Sequence, residues 1–293
     1  MGIPATVSDE PDYYVGMPRN VGALARSTHP GPALAVTVVT VVLGISAGLE
    51  PWRVALLGLA MLFNQASVGL SNDWIDAPRD RATGRTDKPV AMGIVSARAA
   101  RNAAFGTLLL SIVLTLPLGP LATLTQAVFL VSAWGYNAGL KSTPISVAPY
   151  ILSFGLLPML ATLALPDPAP AALWALGAGA MLGIAAHFAN VLPDLSDDAA
   201  TGVRGLPHRV GRKASGVTIA TVLAVASALV VFGPSGDASA VQWIGLVLTI
   251  ALAIVTAVLV ITRPPTRLLF QLIIAAALID VVLLALSGSA LVA

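Results

Sequence analysis

The chain has no cysteine among its 293 residues, and only 10% of its residues are charged. The absence of cysteine excludes a disulfide framework, a thiolate metal site and a cysteine nucleophile. Soluble domains are about one quarter charged, whereas this chain is 57% hydrophobic and has a mean hydropathy of +0.87. The scarcity of charge therefore predicts a polytopic membrane protein.

Apolar segments of the length that crosses a bilayer, about 20 residues, recur along the whole chain. None of them shows the alternating pattern of a transmembrane strand. We therefore expect an all-α integral membrane fold, a bundle of nine transmembrane helices in a single membrane domain over 1–293. The predicted spans are about 31–49, 53–71, 101–118, 121–140, 144–165, 170–192, 215–233, 241–262 and 268–290.

The basic residues are divided very unevenly between the connections of these spans. With nine spans, all but one of the 16 Lys and Arg residues lie on the same side, and the exception is Arg53. Cytoplasmic connections carry an excess of Lys and Arg. We therefore predict a cell-membrane protein with its N-terminus in the cytoplasm and its C-terminus outside.

The rare charges are concentrated in two matching stretches, each at the end of an apolar segment. The first reads Asn72-x-x-x-Asp76-x-x-x-Asp80-x-x-Thr83-Gly84, and the second reads Asn190-x-x-x-Asp194-x-x-x-Asp198-x-x-Thr201-Gly202. They follow the second and sixth predicted spans, so both spans cross the membrane in the same direction. This indicates a parallel internal repeat, with motif-bearing halves of about 20–140 and 141–293.

The spacing of the repeated residues predicts a polar stripe on each helix end. Residues four apart lie on nearly the same face of a helix, and carboxylates next to hydrocarbon need counter-charge. Mg²⁺ suits such an all-oxygen set, because it binds through carboxylates and the phosphate oxygens of a substrate. The alternative is that the acids are solvated loop residues paired with local Arg. The predicted metal ligands are Asn72, Asp76, Asp80, Asn190, Asp194 and Asp198.

At these residues the chain resembles the UbiA superfamily of intramembrane prenyltransferases. That family carries N-D-x-x-D-x-x-x-D after its second helix and D-x-x-x-D after its sixth. Shorter resemblances lie in "ARSTHP", "GRTDKPVA", where Lys88 stands in place of the more common Arg, and "YNAGLKSTP". The resemblance implies catalytic roles for Asp76, Asp80, Asp194 and Asp198. It implies substrate binding by Asn72, Asp73, Arg26, Arg85, Lys88, Tyr136 and Lys141. Asn190, the counterpart of Asn72 in the repeat, is also expected to bind substrate.

The resemblance also implies an activity. A polyprenyl diphosphate would be held at the cytoplasmic end with Mg²⁺, and ionisation to an allylic carbocation would be followed by capture by an acceptor. The expected partners are this donor, a small lipophilic or aromatic acceptor such as a quinone precursor, and membrane lipids, but no nucleic acid. Two alternatives stay open: a terpene cyclase that uses the same diphosphate site, and a transporter. Against the transporter, the acids lie at one face instead of the bilayer midplane.

Three further features are ambiguous in sequence. His187, just before the second motif, is either an acceptor contact or an interhelical hydrogen-bonding residue. Asp280 lies deep in the last predicted span, where an acid is a functional candidate by default, but the resemblance gives it no role. The small residues of "LGAGAMLGIAA" are expected to permit close helix packing.

Overall fold

The computed structural model describes residues 17–195, 202–262 and 267–293, without the side chains of residues 17–20, 194, 267 and 270. The described part is helical, and its only β-type pairing is an isolated bridge between Ala171 and Val292. The helices are α1 (Met17–Arg26), α2 (Pro30–Ser46), α3 (Pro51–Ala82), α4 (Ala97–Thr115), α5 (Pro120–Ala138), α6 (Ala148–Leu163), α7 (Leu173–Val191), α8 (Leu206–Phe232), α9 (Ala240–Thr262) and α10 (Arg267–Ala285).

Each predicted span coincides with one of the helices α2 to α10. Five described helices are long and apolar enough to cross a membrane, namely α3, α4 with its 3₁₀ extension to Leu118, α7, α8 and α9. Shorter apolar helices are Pro30–Ser46, Ala148–Leu163 and the Gln271–Ala285 part of α10. The all-α integral membrane fold is confirmed, and the number of crossings stays a prediction.

Local sequence signals explain where several helices begin. Pro30, Pro51 and Pro120 open α2, α3 and α5, at a position where the missing N–H of proline would have no partner anyway. Ser96 caps α4, since its hydroxyl accepts a hydrogen bond from the Ala99 N–H at 3.1 Å.

The helix α3 is longer than the predicted span 53–71. It continues through the first motif to Ala82, although Pro78 lies inside it, so the following loop begins at residue 83. Pro78 removes one backbone hydrogen bond near the helix end, and the ion pairs described below hold the segment in place. The continuous helix keeps Asn72, Asp76 and Asp80 on one face, as the spacing predicted.

Close packing between α6 and α7 depends on two glycines. A Cβ atom at Gly179 would lie 2.5 Å from the backbone oxygen of Phe154, and a Cβ at Gly183 would overlap the backbone of Tyr150. Only glycine allows the two helices to approach this closely. The packing role predicted for "LGAGAMLGIAA" is confirmed.

The two ends of the bundle differ in charge. At one end, Lys141 contacts Asp76 of α3, and Lys88 contacts Asp80. At the other end, Arg53 donates a hydrogen bond to the backbone oxygen of Ala164 at 2.9 Å. This grouping agrees with the predicted separation of Arg53 from the other basic residues, while the end that faces the cytoplasm stays a prediction.

Candidate active site

One cavity of about 690 Å³ extends through the bundle from its charged end. Its polar end brings together residues of both repeated motifs, with Asn72 and Asp76 from α3 and Asn190 from α7. The remainder of the wall is mostly apolar. Its lining there includes Val36, Val39, Leu43, Phe129, Leu157, Ile273, Leu278 and Leu284.

Asp76 is the central carboxylate of the polar end. Lys141 Nζ lies 2.5 Å and 2.6 Å from its two oxygens. Arg79 and the Asn72 amide each donate a further hydrogen bond to Asp76 Oδ2, at 3.1 Å and 3.0 Å. Asp76 thus joins α3 to the loop that follows α5. Burial lowers the pKa of Lys141, and the neighbouring Asp76 only partly opposes this effect.

Lys88 contacts Asn72 and Asp80 of the polar stripe, and also Asp73 beside it. Its Nζ lies 2.9 Å from Asp80 Oδ2 and 3.4 Å from Asp73 Oδ1, and it donates a hydrogen bond to Asn72 Oδ1 at 3.1 Å. Asp73 also bonds His29 Nε2 at 2.9 Å. The Lys88 side chain is buried, so the loop after α3 folds back over the helix end that carries the motif.

Arg85 and Asp87 form an ion pair on the same loop. Arg85 donates two parallel hydrogen bonds to the carboxylate, Nε to Oδ1 at 2.8 Å and Nη2 to Oδ2 at 2.7 Å. The hydrogen bond from Arg85 lowers the pKa of Asp87 to about 2. Asp87 is therefore ionised at neutral pH, and both residues line the cavity.

An aromatic group lies deeper than the charged residues. The rings of Tyr136 and Tyr150 are 5.2 Å apart, and His187 lies 4.9 Å from Tyr150. His187 Nε2 is 3.0 Å from Ser146 Oγ, which also accepts a hydrogen bond from the Leu206 N–H at 2.8 Å. His187 therefore forms a hydrogen bond, but its partner lies in the turn before α6 and not on a neighbouring helix as predicted. All three rings line the cavity.

The structure does not bring every predicted residue to this cavity. Arg26 is exposed, and Asp73 and Asp80 are buried. None of these three is among the described residues that line the cavity. The side chain of Asp194 and the whole of Asp198 lie outside the described residues. Asp280 is buried away from the cavity and accepts a hydrogen bond from Thr249 Oγ1 at 3.2 Å.

Several residues at the site had no role in the sequence interpretation. Arg79 lines the cavity and contacts both Asp76 and Asp80. Its position three residues after Asp76, one helical turn away, is the signal that could have identified it. Asn137 accepts a hydrogen bond from the Asn72 amide through its Oδ1 atom, at 3.3 Å. Neither Asn137 nor Asp87 gave a comparable signal in the sequence.

The donor chemistry of the polar end fits Mg²⁺, which prefers oxygen ligands. Asn72, Asp76 and Asp80 present amide and carboxylate oxygens on one face of α3. Among the described side chains, no group of three His, Cys, Asp or Glu residues could hold a metal ion. The remaining predicted acidic ligands are Asp194 and Asp198 of the second motif, whose side chains lie outside the described residues.

The sequence model of the UbiA prenyltransferase family matches residues 33–287 of the chain. The chain belongs to the UbiA prenyltransferase family. The match covers both motifs and almost all of the helices that surround the cavity. The sequence resemblance to this family is thereby confirmed.

The chain is also similar to individual proteins of this kind. It is 30% identical, over 63% of its length and 67% of the relative's, to the digeranylgeranylglyceryl phosphate synthase of Methanopyrus kandleri. Two structures of a UbiA homolog from Archaeoglobus fulgidus, bound to GPP and Mg²⁺ or to DMAPP and Mg²⁺, match with TM-scores of 0.69 and 0.70. Each covers 90% of this chain and 99% of its own, at 15% and 17% identity, which supports the fold alone.

Proposed function

We propose that this UbiA-family protein transfers an isoprenoid chain from a polyprenyl diphosphate to a small lipophilic acceptor. The observation that carries the proposal is the division of one cavity into two chemically different parts. Lysines, arginines and carboxylates surround one end, while aliphatic and aromatic side chains line the rest. A molecule with an anionic head and a hydrocarbon tail matches both parts.

The length of the cavity suits a prenyl tail. Its wall includes His29 at the charged end of α2 and Leu43 near the other end of that helix. At 1.5 Å rise per residue, these positions are about 21 Å apart along the helix axis. The tail would therefore extend through about two thirds of the hydrocarbon core, which is about 30 Å thick.

The charged residues suit the departure of diphosphate. Lys88, Lys141, Arg79 and Arg85 supply cations where negative charge develops as the carbon–oxygen bond breaks, and fixed charges at that place lower the barrier. Mg²⁺, held by the oxygen ligands of the two motifs, would supply further neutralisation of the leaving diphosphate. The proposed role of Asp76 and Asp80 is to hold Lys141 and Lys88 in position and to provide oxygen ligands.

The apolar wall suits the allylic carbocation that remains. It excludes water, which would otherwise capture the cation before the acceptor does. Tyr136 and Tyr150 both line the cavity, and the faces of aromatic rings attract positive charge. These two rings are therefore placed to stabilise the cation between ionisation and capture.

Two classes of acceptor are proposed. The family resemblance favours an electron-rich aromatic ring or quinone precursor. The similarity to the Methanopyrus kandleri enzyme favours a lipid-like glyceryl phosphate instead. A terpene cyclase would need no acceptor, because the isoprenoid would react with itself.

The test is product analysis with the purified protein in lipid vesicles. Radiolabelled C10, C15 and C20 prenyl diphosphates are supplied with Mg²⁺, with and without an aromatic or a glyceryl phosphate acceptor. We expect prenylated product only with acceptor, and no product after chelation with excess EDTA. A cyclic hydrocarbon formed without acceptor would assign the cyclase, and failure to release pyrophosphate from any donor would overturn the proposal.

A further inference from the structure

Arg85 binds Asp87 in the same way that a guanidinium binds a phosphate group. The two parallel hydrogen bonds, at 2.8 Å and 2.7 Å, use the planar fork of the side chain. The fork fits a carboxylate and a phosphate equally well. Asp87 therefore occupies the donors that a diphosphate would use.

The other acids near the cavity are held much more firmly. Asp73, Asp76 and Asp80 lie on α3, and the side chain of each is at most 6% exposed. The side chain of Asp87 is 60% exposed and that of Arg85 is 41% exposed. Exposed ion pairs contribute little net stability. Asp87 can thus leave Arg85 without disturbing the fold.

The pair also lies at the correct place for exchange with a ligand. Arg85 and Asp87 line the same cavity as Lys88 and Lys141. A diphosphate bound among these cations would lie beside the carboxylate of Asp87. Asp87 and diphosphate, both anionic, would therefore be alternative occupants of the Arg85 fork.

We propose that Asp87 competes with diphosphate for Arg85 and thereby speeds the release of the pyrophosphate product. This inference rests on the proposed function, because it places Asp87 at the same diphosphate end. When the prenyl group has left, Asp87 recaptures Arg85 and removes one of the contacts that retain pyrophosphate. Asp87 is in this sense a positioning residue, which acts on the product through Arg85.

The test measures binding and dissociation of inorganic pyrophosphate with Mg²⁺ at low salt, using the full-length protein in detergent. The variants are Asp87→Asn, Asp87→Glu, Arg85→Gln and the double variant of Arg85→Gln with Asp87→Asn. Asp237→Asn, on the exposed loop between α8 and α9, is the control for the loss of one negative charge. Thermal melting of each variant checks that the fold is intact.

We expect Asp87→Asn to bind pyrophosphate about 2- to 5-fold more tightly, the range that corresponds to an exposed ion pair, and to release it more slowly. Asp87→Glu should behave like the wild type, since it keeps the charge. In the Arg85→Gln background, Asp87→Asn should have no effect, because the fork for which the two anions compete is absent.

Three results would overturn the inference and leave the proposed function in place. The first is an unchanged affinity of Asp87→Asn for pyrophosphate, and the second is a weaker affinity. The third is that Asp87→Asn tightens pyrophosphate binding equally in the wild-type and Arg85→Gln backgrounds. The second would indicate that the pair only orders the loop, and the third would indicate a general effect of charge. A wild type that neither binds pyrophosphate nor turns over any donor would overturn the proposed function itself, and this inference with it.

Discussion

Replacement of Lys141 by methionine tests the most central ion pair of the site. The side chains of Lys141 and Asp76 are 11% and 6% exposed, and both carboxylate oxygens contact the ammonium group. Methionine removes the charge and keeps most of the volume. Among the described side chains, Asp76 would then retain hydrogen bonds from Arg79 at 3.1 Å and Asn72 at 3.0 Å.

The magnitude follows from the cost of leaving a buried charge without its partner. Breaking a buried pair by removing one member lowers the free energy of unfolding by about 3–5 kcal/mol. Because two hydrogen-bond donors to Asp76 remain, we expect Lys141→Met to lie near the lower limit, at about 3 kcal/mol. Burial lowers the pKa of Lys141 despite the neighbouring carboxylate, so the attraction does not fully offset the desolvation. We therefore expect the double variant of Lys141→Met with Asp76→Asn to lie within about 1 kcal/mol of the wild type.

The assay is unfolding of the wild type, the two single variants and the double variant in one detergent, followed by heat and by denaturant. The single variants should unfold first, and the double variant should recover most of the loss. A Lys141→Met variant as stable as the wild type would refute the reasoning. The reasoning would also be refuted if the double variant lost as much unfolding free energy as the two single variants together. The two substitutions would then act independently, and the ion pair would not couple them.

Three further predictions concern catalysis, packing and topology. Asp76→Ala and Asp194→Ala should each abolish turnover and leave a folded protein, and near-normal activity of either would exclude two cooperating motifs. Gly179→Ala should lower the free energy of unfolding by about 1–3 kcal/mol, because its Cβ would lie 2.5 Å from a backbone oxygen of α6. Gly106→Ala should not, because no atom of the described residues would lie within 4 Å of its Cβ. A reporter fused after Ala293 should lie outside the cell and one in the loop before α8 in the cytoplasm; the reverse result would refute the predicted orientation.

The positions of the helices could be predicted from sequence better than their ends. Apolar runs report where a chain is surrounded by lipid, and the nine predicted spans all coincide with helices. Hydropathy falls at residue 72, yet α3 continues to Ala82. The helix ends where backbone hydrogen bonding ends, and hydropathy does not detect that point.

Contacts within α3 were likewise easier to predict than contacts between elements. The interval of four residues predicted the common face of Asn72, Asp76 and Asp80. It could not predict that His29, which follows α1, would contact Asp73 while Arg26 remains exposed. That choice depends on the turn between α1 and α2, where His29 adopts a left-handed conformation with φ 53°.

The length of α3 has a consequence for kinetics in the membrane. Its 32 residues extend about 48 Å, well beyond a hydrocarbon core of about 30 Å. With the predicted span 53–71 in the membrane, the acidic end of the helix would project from it. The proposed prenyl donor would then keep its head at the level of the lipid phosphates and arrive by lateral diffusion within one leaflet. Its rate of encounter would then depend on its mole fraction in the leaflet. Added inert phospholipid would slow turnover, whereas dilution of the same vesicles with buffer would not change the turnover of each enzyme molecule.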